Sequence, residues 1–177
     1  MTTTISCPFP DNITPLSPNG FLFSIQKLPK LNFFCQQVNL PGITLGAPEF
    51  GNPFRMQPVP GESLTYDELT IQFLVDSEMQ NYQQLYNWIV ALGFPNDYDQ
   101  YTTFNSQDDR GAISELSRNY SDGILQILSG TNTVVKTIQF VEMFPVTIDS
   151  LMFQATNSDV QYLVGNATFR YGYYKFL

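Results

Sequence analysis

From Thr65 to Val75 the chain alternates with a period of two. Asp67, Leu69, Ile71, Phe73 and Val75 fall on one side, and Tyr66, Glu68, Thr70 and Gln72 on the other. This pattern predicts a strand with one buried and one polar face. The period then changes with no intervening loop. Tyr82, Leu85, Ile89 and Leu92 share one helical stripe, widened by Tyr86 and Trp88. Asp76 or Ser77 stands where an N-cap is needed, and Ser77 and Gln80 have capping-box spacing. Gly93 is placed as the C′ residue, and Pro95 prevents the helix from resuming. The expected helix covers about 77–92 and lies on one sheet face. Its expected core residues are Tyr82, Leu85, Trp88, Ile89 and Leu92, with Trp88 read as core rather than as a ligand platform.

The rest of the pattern is mostly strands and turns. Residues 1–19 carry Pro8, Pro10, Pro15 and Pro18 and read as an extended arm. A strand with Phe21, Phe23 and Ile25 on one face follows, and Pro29-Lys30 separates it from Leu31–Leu40, as in a short hairpin. Leu40-Pro41-Gly42 has turn chemistry. Between 42 and 61, prolines and glycines punctuate Ile43, Leu45, Phe50, Phe54, Met56 and Val59. A segment this long and this apolar suits an extended hairpin that packs outside its own domain; a self-packed loop is the alternative. Residues 96–122 read mainly as polar loop. Strands are expected over 123–129 and 133–144 around Gly130-Thr131-Asn132, with Pro145 breaking the second, and a further short strand over 146–154. The alternation from Val160 to Phe176 predicts one long last strand, which suits a barrel or a sheet assembled from several copies. Residues 20–177 thus form a single β domain carrying one helix.

Composition narrows the function. The 177 residues have 14% charged side chains and a net charge of −8, and they include 15 Phe and 10 Tyr. Low charge with many aromatics suits either a surface largely covered by partners or a β fold that uses aromatics in its strands. The acidity disfavours phosphate-backbone binding, and the eight Lys and Arg form no basic patch. No 18-residue apolar run predicts a membrane helix, and the N-terminus lacks the regions of a signal peptide, so synthesis in a cytoplasm is expected. Cys7 and Cys35 do not make a disulfide framework and are expected to be reduced. With no histidine there is no Ser-His-Asp triad, no Cys-His dyad and no His metal site. The carboxylates of Asp97, Asp99, Asp108 and Asp109 lack the glycine and terminal Glu of a calcium loop and read as solvated. No catalytic, cofactor or metal residue is therefore assigned, and the chain is not expected to be an enzyme.

The string Leu64-Thr65-Tyr66-Asp67-Glu68-Leu69-Thr70-Ile71-Gln72-Phe73-Leu74-Val75-Asp76, followed by Asn81-Tyr82 and Trp88-Ile89, resembles phage tail-tube proteins. More narrowly it is similar to the tube and tube-initiator proteins of contractile-tailed phages. Leu40-Pro41-Gly42, the apolar hairpin and Pro60-Gly61-Glu62 resemble that family's inter-subunit arm, and Gly165-Asn166-Ala167-Thr168-Phe169-Arg170-Tyr171 its last long strand. The resemblance covers about 20–95 and 123–175 and leaves 1–19 and 96–122 unaccounted for. It implies a β-sandwich or barrel with one helix on the sheet, completed by neighbouring subunits. It also implies hexameric rings stacked into a tail tube through which DNA passes as non-specific cargo, with sheath and baseplate or neck proteins as partners. The implied setting is the virion tail, assembled in the host bacterial cytoplasm. A tube-initiator or tail-terminator ring, a secretion-system tube protein and a binding β-sandwich module are the alternative readings. The arm residues Ile43, Leu45, Phe50, Phe54, Met56 and Val59 are expected at a subunit interface.

Overall fold

A computed structural model describes residues 15–52, 54–93, 95, 97–106, 119–155 and 161–177. The strands are β1 (Phe21–Ile25), β2 (Cys35–Val38), β3 (Ile43–Leu45), β4 (Glu49–Asn52), β5 (Arg55–Pro58), β6 (Leu64–Tyr66), β7 (Leu69–Leu74), β8 (Ser121–Leu128), β9 (Val134–Ile148), β10 (Val164–Arg170) and β11 (Tyr173–Phe176). The helices are α1 (Pro29–Asn32), α2 (Gln80–Gly93) and α3 (Asp99–Ser106). Seven strands form one antiparallel sheet in the order β1-β8-β9-β10-β7-β2, with β11 also on β9. The fold is mostly β, and the sheet does not close into a barrel. Among the described residues β1 pairs only β8 and β2 pairs only β7, so both ends of the sheet are open edges.

Alternation sets the buried face. Leu69, Ile71 and Phe73 of β7 join Phe23, Ile25, Leu125, Ile138, Phe140, Met143, Ala167 and Phe169 in a single core. Two helices complete it, α1 through Leu31 and α2 through Leu85 and Trp88. The buried stripe of α2 is Asn81, Leu85, Trp88 and Ala91. It is turned slightly from the stripe the sequence predicts. Tyr82 and Leu92 are half-buried against the core, Ile89 is half-buried, and Tyr86 is exposed.

Several boundaries differ from expectation for local reasons. The helix begins at Gln80 rather than 77, because Met79 takes a left-handed φ of 54° just before it. Ser77 bonds Asp76 rather than forming a capping box. Instead, Asn81, fully buried, donates to the Leu74 carbonyl (2.7 Å) and accepts from the N–H groups of Asp76 (3.2 Å) and Tyr82 (2.8 Å). Gly93 ends the helix without a left-handed φ. Pro29 opens α1 rather than a hairpin turn, and the two flanking strands lie at opposite ends of the sheet. The polar stretch after Pro95 contains α3, whose Phe104 packs on the core.

Pro145 does not break β9. It lies where the strand passes from β11 to β10 as its neighbour, opposite Phe169 and beside a register shift, where a missing N–H is tolerated. The expected long last strand is split at Tyr171-Gly172 into β10 and β11, and 149–154 is not a strand. The split faces a bulge at Glu142 (φ 56°), where Val141 and Glu142 together oppose Asp122. The Asp122 carboxylate fills the gap, accepting from the Glu142 N–H at 3.3 Å and from Gln139 Nε2 at 3.0 Å. Asp108 and Asp109, Cys7 and most of the 1–19 arm lie outside the described residues.

Candidate assembly surface

Residues 42–61 form the outward limb and tip of a two-stage β ribbon. In the first stage β3 pairs β6, with Ile43 opposite Tyr66 and Leu45 opposite Leu64. Facing residues project to one side of a ribbon, so Ile43, Leu45 and Leu64 make an apolar face with only Thr44 and Thr65 behind it. In the second stage β4 pairs β5. Phe50 lies on one face; Met56 lies on the other, opposite Gly51. The hairpin closes with Asn52 opposite Arg55, leaving Phe54 95% exposed, with Arg55 exposed beside it. Val59 is half-buried, its N–H donating to Pro48. Of the six arm residues expected at an interface, the other five are exposed in the single chain. Leu64 joins them; its place opposite Leu45 was the signal for it.

The root of this arm is held rigidly. The Asp67 N–H donates to the Gly42 carbonyl at 3.0 Å, and Asn39 bonds both Glu68 and Thr70 where the β2–β7 ladder ends. Tyr171 donates its hydroxyl to the Asp67 carbonyl at 2.9 Å, and Tyr174 donates to the Pro41 carbonyl at 3.3 Å. Their rings pack with Tyr66 and Phe140 at centroid distances of 5.1–6.2 Å. Burial, then the neighbouring Tyr174, Asp67 and Tyr66, push the Tyr171 phenol above its usual range, so it remains a donor. The Arg170–Glu68 pair at 2.9 Å is exposed and adds little. A cleft of about 470 Å³ beside the root is lined by residues 64–68, Arg170 and Tyr171.

The two stages of the ribbon meet at a joint. Gly61 donates to the Gly46 carbonyl at 2.7 Å, and a Cβ on Gly61 would stand 2.4 Å from that oxygen. Only glycine permits this approach. Gly61→Ala is expected to open the joint. Hydrogen exchange should speed up at the Gly46, Val59 and Gly61 amides and stay unchanged in β7–β10.

No catalytic constellation accompanies the arm. Among the described residues no group of three or more His, Cys, Asp or Glu could hold a metal, and Asp97 and Asp99 are exposed. Cys35 is a free thiol pushed up to about 11 by burial, which makes it a poor nucleophile at neutral pH. Among the described residues no helix is long and apolar enough to cross a membrane. A hollow of about 390 Å³ between α2 and α3 brings no reactive groups together.

The chain thus presents an exposed apolar ribbon whose root is held by hydrogen bonds and packed aromatic rings, on a sheet with open edges. The chain belongs to the phage tail tube protein family, whose model matches residues 9–177. This makes it a structural component of phage tails. Its fold is shared with a chain of the six-fold symmetrised cryo-EM structure of the anti-feeding prophage baseplate, at 16% identity and a TM-score of 0.58, covering 93% of this chain and 96% of that one. A chain of the sheath-tube complex of an extracellular contractile injection system is 15% identical, with a TM-score of 0.56 and coverage of 92% and 91%. A chain of the anti-feeding prophage tube-terminating cap is 13% identical, with a TM-score of 0.57 and coverage of 100% and 99%. No curated protein matches the sequence.

Proposed function

We propose that the chain is a repeating subunit of a tail tube and that its activity is self-assembly into rings, hexameric by the reading above. Ile43, Leu45, Phe50, Phe54, Met56 and Val59 contact a neighbouring copy. The observation that carries this reading is the arm itself, a ribbon with exposed apolar residues on both stages and no core of its own. The open edges at β1 and β2 support it, since neighbouring copies can complete the sheet there. Six-fold symmetry in the baseplate relative and the sheath-tube setting of another support a ring with sheath and baseplate or neck proteins as partners. The family description favours the tube body over an initiator or terminator ring. In this role DNA passes through the channel as cargo, and the acidic chain favours sliding over sticking. The tube is part of the virion and is assembled in the host cytoplasm.

Negative-stain imaging and sedimentation velocity test the reading. The wild-type chain is expected to form rings or stacked polymers. Phe54→Asp is expected to abolish them while changing monomer stability by no more than about 0.5 kcal/mol, because Phe54 touches little of its own copy. A wild-type protein that stays monomeric at high concentration would overturn the proposal. A monomer melting point lowered by Phe54→Asp would show that the arm packs on its own domain.

A further inference from the structure

The arm leaves the sheet at the Leu69 end of β7, where Gly42 and Asp67 are bonded. At the opposite end of β7, the neighbouring strand ends carry further exposed apolar side chains. There Leu74 bonds Phe34, and Phe33 beside it is 87% exposed; Val75 bonds Leu163, next to exposed Tyr162. The segment after β9 returns to the same end. Asp149 bonds Asn166 and Tyr82, and Met152 and Phe153 follow, the latter 70% exposed. The charge of the two ends differs. The arm tip places Arg55 beside Phe54, whereas the far end carries Asp76, Glu78 and Asp149 with Lys30 as their nearby counter-charge, so it is the more acidic of the two.

We infer that the Met152–Phe153 and Tyr162 surface, together with Phe33, is the seat for the arm tip of a second copy of this chain. It rests on the reading of the arm as an assembly element and supplies the contact surface that reading lacks. Two arguments carry it. The first is geometric. The arm's root and the seat lie at opposite ends of β7, about 17 Å apart along the strand at roughly 3.4 Å per residue, and the tip lies two ribbon stages beyond the root. Phe54 is almost wholly exposed in the single chain, so each patch is left to meet another copy. Two different, complementary patches make a heterologous contact that repeats from copy to copy and does not stop at a dimer. The second is electrostatic. An aromatic-arginine tip is the usual composition of an interface anchor, and exposed apolar side chains at the more acidic end of the sheet complement it in both respects.

A mixing experiment tests the inference on the full chain. Phe54→Asp removes the tip and leaves the seat; Phe153→Asp removes the seat and leaves the tip. Each variant alone is expected to sediment without polymers at concentrations where the wild type is fully assembled. Mixed in equal amounts, they retain one good contact, from the intact tip of one onto the intact seat of the other. The expected product is a species of twice the unit mass that grows no further. Polymers of wild-type length from Phe153→Asp alone would overturn the seat and leave the arm reading standing. Polymers from Phe54→Asp alone would overturn the arm reading, and the seat with it. Two blocked variants whose mixture yields nothing larger than either alone would also overturn the seat. Thermal melts confirm that the variants fold, and Met152→Asp replaces Phe153→Asp if that variant does not.

Discussion

Replacing Trp88 with alanine is expected to cost about 3–5 kcal/mol, the range for truncating a fully buried large aromatic side chain. Trp88 is wholly inaccessible and packs on Phe169 at a centroid distance of 6.3 Å. Its Nε1–H donates to the Asn119 carbonyl at 3.2 Å. The Lys27 ammonium lies 5.4 Å above the indole and 5.3 Å from the Phe104 ring, so the same site also ties α3 to the core. A loss of this size is a large part of the roughly 5–15 kcal/mol that holds an ordinary domain together. Urea unfolding followed by far-UV circular dichroism measures it, since the substitution removes the only tryptophan. Trp88→Phe keeps most of the ring packing and drops only the indole hydrogen bond, so it should cost about 1–2 kcal/mol. Equal losses for the two variants would show that the hydrogen bond, and not the ring, is the main contribution.

The second large effect is expected at Asn81. Its amide closes the junction between β7 and α2, and Asn81→Ala would leave the Leu74 carbonyl and the Asp76 N–H without that partner. A fully buried unsatisfied group costs about 1–3 kcal/mol, and Leu74 and Asp76 are only half-buried, so the loss from the two should reach about 2–4 kcal/mol. Asn81→Asp is nearly isosteric and separates hydrogen bonding from packing. An ionised carboxylate cannot donate to the Leu74 carbonyl, whereas a protonated one can. Complete burial beside the Leu74 carbonyl raises the folded-state pKa of the introduced acid above the unfolded value of about 3.9, against the smaller opposing pull of the Asp76 and Tyr82 N–H donors. The variant should therefore be nearly as stable as the parent below about pH 4 and lose stability as the pH rises toward the folded value. Denaturation midpoints at pH 3.5 and 7 test this against the parent at the same pH. A constant deficit at both would show that the amide acts through shape alone.

The elements legible in the sequence were those whose pattern repeats over many residues. β7 follows the alternation of Leu69, Ile71 and Phe73, and α2 lies within two or three residues of its expected place. The apolar 42–61 segment is a hairpin, as its spacing implied, although its glycine joint is a tertiary contact that no local pattern encodes. What was misread depends on partners distant in sequence. Pro145 normally ends a strand, yet here its missing N–H falls where β9 changes neighbours. Alternation continues through Tyr171 and Gly172, but a bulge across the sheet at Glu142 divides the strand. The helix start moved because Met79 takes a left-handed φ just before Gln80, while Asn81, a residue with no signal as a distant cap, bonds Leu74 and Asp76 ahead of Ser77. α3 lacks a strong apolar stripe and, among the described residues, reaches the core through Phe104. Met152 and Phe153 were read as part of a strand and so went unnoticed as an exposed surface.

The joint at Gly46 and Gly61 also bears on mechanics. Aromatic rings and hydrogen bonds hold the arm's root, and the joint is closed by the Gly61–Gly46 and Gly46–Ser63 bonds at 2.7 and 2.8 Å. The angle between the two stages is therefore set by backbone contacts at two glycines. In the assembly we propose, a side chain introduced at Gly61 would redirect the tip without altering any group the tip itself presents.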